Sequence, residues 1–161
     1  MHKLGLQLSV FLFVALFLSL GMAAGKSASE RSFKATLSGS DEVPLVDTQA
    51  KGEAAFQVSK GRDIVTYKLT VSNIKDVTAA YIQKGKRGKN GPPVMNLFTE
   101  PKKENVSGTL LAEGKVEPYL LIGPLKGKSV NVLIELMEAG EAYVNIQTKK
   151  HPDGEIRGQI K

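Results

Sequence analysis

The sequence predicts an all-β domain, an antiparallel β-sandwich with one short helix near 129–139, on three observations. From Arg31 onward apolar residues recur at every second position, which marks strands with one buried face. Clusters of Gly, Pro, Asn and Asp interrupt this alternation at intervals of roughly 8–12 residues, the spacing of sandwich turns. One segment alone changes to a helical period.

The first strand sets Phe33, Ala35 and Leu37 on one face and Lys34, Thr36 and Ser38 on the other. Ala54, Phe56 and Val58 repeat the pattern. Lys60-Gly61-Arg62-Asp63 then turns the chain into Val65, Tyr67, Leu69 and Val71, so the pair reads as a β-hairpin with Gly61 supplying the tight turn. Ala80 and Ile82 form the apolar side of the next strand, with Tyr81 and Gln83 opposite. A Gly/Lys/Pro loop, Lys84 to Pro93, leads to a short apolar strand at Val94–Phe98. The polar stretch Thr99–Ser107 precedes strands at Thr109–Ala112 and Leu120–Ile122.

The helical segment carries Val130, Leu133, Ile134 and Met137 on one side, with Ser129 in the N-cap position and Gly140 just past the end. Strands resume at Ala142–Thr148 and Glu155–Ile160. Between them, Pro152-Asp153-Gly154 is a turn with a mechanism, since each residue pre-sets part of the bend. Val144 and Ile146 point to the core, leaving Tyr143, Asn145 and Gln147 on the opposite face.

The chain opens with Met1-His2-Lys3, runs apolar from Leu4 to Leu20 and reaches the small residues Gly21-Met22-Ala23-Ala24-Gly25. This is the layout of a secretory signal, a helix over 1–24 with cleavage near 23–25. Left uncleaved, the same run is long enough to anchor the chain in a membrane. A short disordered lead over 25–30 and one domain over 31–161 follow. The reading places the domain outside the cytoplasm, secreted or associated with the cell envelope. The sequence has no cysteine, which excludes a disulfide framework and thiolate metal sites.

The formal net charge is +6. The excess is concentrated: Lys84, Lys86, Arg87 and Lys89 crowd one loop, pictured here as mobile, and Lys149 and Lys150 flank His151 in another. Such clusters favour anionic polymers or lipid surfaces. Nucleic acid is not the expected partner, because no aromatic residues alternate with the cations to stack on bases.

Catalytic patterns are missing. The sequence lacks a nucleophile elbow or a Ser–His arrangement. Gly123-Pro124-Leu125-Lys126-Gly127-Lys128-Ser129 is one residue short of a phosphate-binding loop and reads as a turn before a helix cap. Asn105-Val106-Ser107 matches a glycosylation acceptor. Arg157, on the last strand opposite Ile156, is expected to pair with Glu42 or Glu155 and lock the closing strand.

Several stretches resemble the chordin-type (CHRD) domain: Phe33–Gly39, the Asp41-Glu42-Val43-Pro44 bend, Thr66–Leu69 and the Gly85…Gly88…Gly91-Pro92 loop. Gly140–Asn145 and Pro152-Asp153-Gly154-Glu155-Ile156-Arg157-Gly158-Gln159 complete the match. The resemblance implies an immunoglobulin-like, Greek-key β-sandwich and a kinship to copper–zinc superoxide dismutases. Members of the family commonly carry H-x-H and a further histidine where this chain has Tyr81, Gln83 and Gln147. In a strand, residues two apart share a face, so such histidines would offer one ion two imidazoles. Here neutral amides and a phenol stand in their place, and these are poor ligands for copper or zinc. The sole histidine beyond the signal, His151, lies in a turn and is expected to be solvated.

The function expected is therefore a non-catalytic binding or structural module, with no cofactor and an extracellular or cell-envelope partner. A metal-carrying, superoxide-dismutase-like protein is the disfavoured alternative. A cell-envelope polyanion binder acting through Lys84–Lys89 is a further one.

Overall fold

A computed structural model describes residues 30–98 and 109–161. The signal segment at 1–24, the lead as far as residue 29 and the Asn105-Val106-Ser107 acceptor lie outside the described residues.

Eight strands follow one another as β1 (Arg31–Ser38), β2 (Lys51–Val58), β3 (Val65–Ser72), β4 (Val77–Lys84), β5 (Pro93–Phe98), β6 (Thr109–Lys115), β7 (Ala142–Thr148) and β8 (Ile156–Gln159). A single helix, α1 (Val130–Glu138), separates β6 from β7. Among the described residues, the antiparallel strands and the one α-helix agree with the sequence.

The strands form one sheet, in the order β5-β4-β7-β8-β1-β2-β3-β6, rather than two separate ones. The reason lies in β1, which pairs with β2 on one side and with β8 on the other. Its Lys34 exchanges both backbone hydrogen bonds with Lys161, at 2.8 and 3.0 Å, and Ser38 lies opposite Arg157. The sheet curls nearly into a barrel. Its two ends approach closely enough for the Tyr67 hydroxyl of β3 to donate to the Leu97 carbonyl of β5 at 3.2 Å.

The period-two residues face inward as their alternation requires. Leu37, Phe56, Leu69, Ile82, Val144 and Ile156 are wholly buried in one apolar core. Helix α1 adds Val130, Leu133, Ile134 and Met137 to it. Arg31 and Arg62 both reach Glu138, which fixes α1 beside the start of β1 and the β2–β3 turn. In that turn the left-handed residue is Arg62, with φ 59°, and not Gly61. The guanidinium gains from this placement, because Arg62 Nε also donates to Asn131 Oδ1 of the helix at 3.0 Å.

Ser129 occupies the N-cap position without making a side-chain cap bond. The other end follows the sequence closely. Gly140 has φ 65°, its N–H reaches the Met137 carbonyl at 3.1 Å, and the Glu141 N–H reaches Leu136 at 2.8 Å. That pair of bonds is a Schellman motif, which satisfies carbonyls the helix end leaves open. The predicted strand at Leu120–Ile122 is instead a 3-10 turn at Pro118–Leu120 followed by a single bridge from Leu121 to Met95. Pro118 removes a ladder donor on one side, and Gly123, at φ 52°, bends the chain away on the other.

Candidate functional site: a polar face under a clamped loop

β4 and β7 are buried on both faces, which alternation alone does not reveal. Tyr143 and Asn145, on the side away from the apolar core, are 0% and 3% exposed. The register explains which groups meet there. Tyr81 lies opposite Asn145, Asn145 opposite Arg157, and Arg157 opposite Ser38, forming one rung across four strands. The next rung is Gln83, Tyr143 and Gln159. Ala79 faces Gln147, so Tyr81, Gln83 and Gln147 gather on one face of adjacent strands.

Two segments cover this face. The first is the loop from Lys84 to Pro93, and Arg157 holds it. The guanidinium lies 3.4 Å from the centroid of the Tyr143 ring. Its Nη1 donates to Asn90 Oδ1 at 2.9 Å, and its Nη2 to the carbonyls of Lys89 at 2.7 Å and Lys86 at 3.3 Å. Stacking and forked donation together suit arginine and no other side chain. Beside it, the Tyr143 hydroxyl accepts the Gly91 N–H at 3.0 Å. Gln159 Nε2 reaches the carbonyls of Gly85, Gly140 and Ala142 at 2.8–3.0 Å.

The loop glycines answer to this packing. A Cβ on Gly91 would stand 1.8 Å from the Lys84 carbonyl oxygen, and one on Gly85 would stand 2.8 Å from that of Lys89. Positive φ belongs in this loop to Gly88, at 74°. The loop is thus a clamped element, not the mobile one expected.

The second cover is the bend after β1. Gly39 accepts the Glu42 and Val46 N–H groups at 3.2 and 2.9 Å. The covers also bind each other: Asn90 Nδ2 donates to the Val43 carbonyl at 2.7 Å, and Arg87 pairs with Asp41 at 2.8 Å. Glu42 is 5% exposed, and burial pushes its carboxyl up to about 7, against the pull of the Arg157 charge and a bond from Val43. Its Oε1 and Asn145 Oδ1 are shielded and without a hydrogen-bond partner among the described residues. Both oxygens abut Gly154, where a Cβ would lie 2.6 Å from one and 2.8 Å from the other.

The expected ion pair is corrected here. Arg157 forms no salt bridge with Glu42 or Glu155 among the described residues, because the loop carbonyls and Asn90 occupy its donors. Glu155 accepts hydroxyls instead, from Thr48 at 2.7 Å and Thr148 at 2.7 Å. His151 is half-buried rather than solvated: its backbone N–H donates to Thr148 Oγ1 at 3.1 Å, and its Nε2 is shielded.

The residues at Tyr81, Gln83 and Gln147 do not fit a transition-metal ion. They offer no imidazole or carboxylate, and the same face already holds the Arg157 cation, which repels a second positive charge.

With its carbonyls turned inward, the loop turns its cations outward. Lys84, Lys86, Arg87 and Lys89 are all exposed. Lys86 approaches Glu141 at 3.4 Å and Arg87 approaches Asp41, while Lys84 and Lys89 form no ion pair among the described residues. Asn90 and Gln159, which shape this surface, were not singled out from the sequence, and Tyr143 was placed on this face without a role. The available signal was Arg157 itself, a charge on a strand face with no acid opposite it in the pattern.

The model of the CHRD domain family matches residues 33–160, nearly the whole chain. No solved structure matches it.

Proposed function

Because this chain belongs to the CHRD domain family, we propose that it is a non-catalytic binding module, exported across a membrane, whose contact surface is the clamped loop Lys84–Asn90. The observation that carries this reading is the inward turn of the loop's carbonyls onto Arg157, which commits its cationic side chains to solvent. A loop fixed in this way loses little entropy on binding, so its charges act with less penalty than those of a free segment. The ligand class that suits four clustered cations with little apolar contact is an anionic polymer of the cell envelope. The apolar N-terminal run and its small-residue end support export.

The test is retention on an immobilised polyanion across a salt series. Lys84→Glu with Lys89→Glu is expected to abolish most of the retention and flatten its salt dependence. Unchanged retention would refute the loop as the contact surface.

A further inference from the structure

At the tip of the second cover, Val43-Pro44-Leu45 meets the loop clamp only through the Val43 carbonyl, leaving its side chains outside it. Leu45 is 74% and Val43 37% exposed, and they are two of only three large apolar side chains exposed among the described residues. The bend that carries them is firmly built. Gly39 accepts from Glu42 and Val46, Asn90 holds the Val43 carbonyl, and a Cβ on Gly39 would collide with the Val46 carbonyl at 2.2 Å. Held out on this bend, Leu45 presents apolar area that a partner could cover.

The fold brings cations from two other segments beside this tip. The clamped loop supplies Lys86, Arg87 and Lys89, tied to the bend through Arg87–Asp41 and Asn90–Val43. In addition, Lys150 lines a cleft of about 270 Å³ together with Glu42, Val43, Pro44 and Val46. Asp153 shares that cleft, and Asp41 is engaged by Arg87. These three segments are far apart in the sequence and meet only in the folded chain.

We propose that the 41–46 bend, with the basic segments beside it, docks the domain on an anionic phospholipid surface. Leu45 and Val43 enter the acyl boundary while Lys86, Arg87, Lys89 and Lys150 meet the headgroups. This rests on the proposed use of the loop as a contact surface and puts a bilayer in place of the polymer as what that surface meets. A soluble polyanion uses the cations but has nothing to offer an exposed leucine, whereas a bilayer uses both.

The absence of cysteine allows a direct test on the full chain. Leu45→Cys carries a polarity-sensitive dye, and Thr66→Cys, exposed near the opposite end of the sheet, carries it as a control. Vesicles of neutral phospholipid are compared with vesicles containing about a third anionic phospholipid. The dye at 45 is expected to shift to the blue on anionic vesicles only and to lose the shift in high salt. The dye at 66 is expected to stay unshifted, whatever the N-terminal segment does. Adding Lys89→Glu and Lys150→Glu should raise the lipid needed by at least roughly fivefold per lysine.

No shift at 45, or an equal shift on neutral vesicles, overturns the proposal. Polyanion retention without a shift at 45 rejects the bilayer and leaves the polymer reading standing. Loss of both rejects both.

Discussion

The Arg157 guanidinium lies over the Tyr143 ring, 3.4 Å from its centroid, while its two terminal nitrogens reach into the loop above. One side chain therefore joins the sheet to its cover. Removing it leaves the carbonyls of Lys86 and Lys89 facing an apolar ring.

Arg157→Lys is expected to destabilise the domain by about 2–4 kcal/mol, since lysine can neither fork nor stack in the same way. Tyr143→Phe, which loses only the Gly91 contact, should cost about 1 kcal/mol. Chemical denaturation checks both. Limited trypsin digestion should also cut the released loop at Lys86–Lys89 faster in Arg157→Lys than in the parent.

Two glycines in that loop should respond differently to alanine. Gly91→Ala forces a Cβ onto the Lys84 carbonyl, 1.8 Å away, and is expected to cost well over about 2 kcal/mol. Gly88 has φ 74° and open space around it, so Gly88→Ala should cost only about 1 kcal/mol. Thermal unfolding of the pair separates crowding from backbone strain.

Glu42 gives the protein a pH dependence of defined sign. Burial raises its carboxyl from an ordinary 4.5 to about 7. Between those values the folded chain keeps a proton that the unfolded chain has released, so stability falls as pH rises through the window and levels off above it. Glu42→Gln mimics the protonated form. It should match the parent near pH 4.5 and exceed it by about 2–3 kcal/mol above pH 7. Urea titrations of the two proteins across that range provide the difference curve.

Glu155 gathers the hydroxyls of Thr48 and Thr148. Glu155→Ala strands both and is expected to cost about 2–3 kcal/mol. The Thr48→Val, Thr148→Val double variant, which strands the carboxylate instead, should be destabilised comparably. A double-mutant cycle in denaturant measures the coupling.

Much of the fold was legible because its signals are local. Alternation placed Leu37, Phe56, Leu69 and Ile82 in the core, and Gly140 ended α1 where a left-handed residue was needed. The arrangement of the site was legible only in part. The sharing of one face by Tyr81, Gln83 and Gln147 follows from strand period and register. What covers that face does not, because Arg157–Lys89 and Asn90–Val43 are contacts between distant segments with no period to announce them. The expected Arg157–carboxylate pair failed for the same reason. Opposite charges suggested a partner, yet backbone carbonyls from a loop some seventy residues earlier reached the guanidinium first.

The near-closure of the sheet also leaves little of its β5 edge open. Outer strands usually expose rows of unpaired amides that recruit further chains into fibrils. On β5 the Val94 carbonyl accepts from Ile122 at 2.9 Å and that of Leu97 accepts from Tyr67, so this margin has little left to offer. The β5 margin is thereby shielded from self-templated stacking.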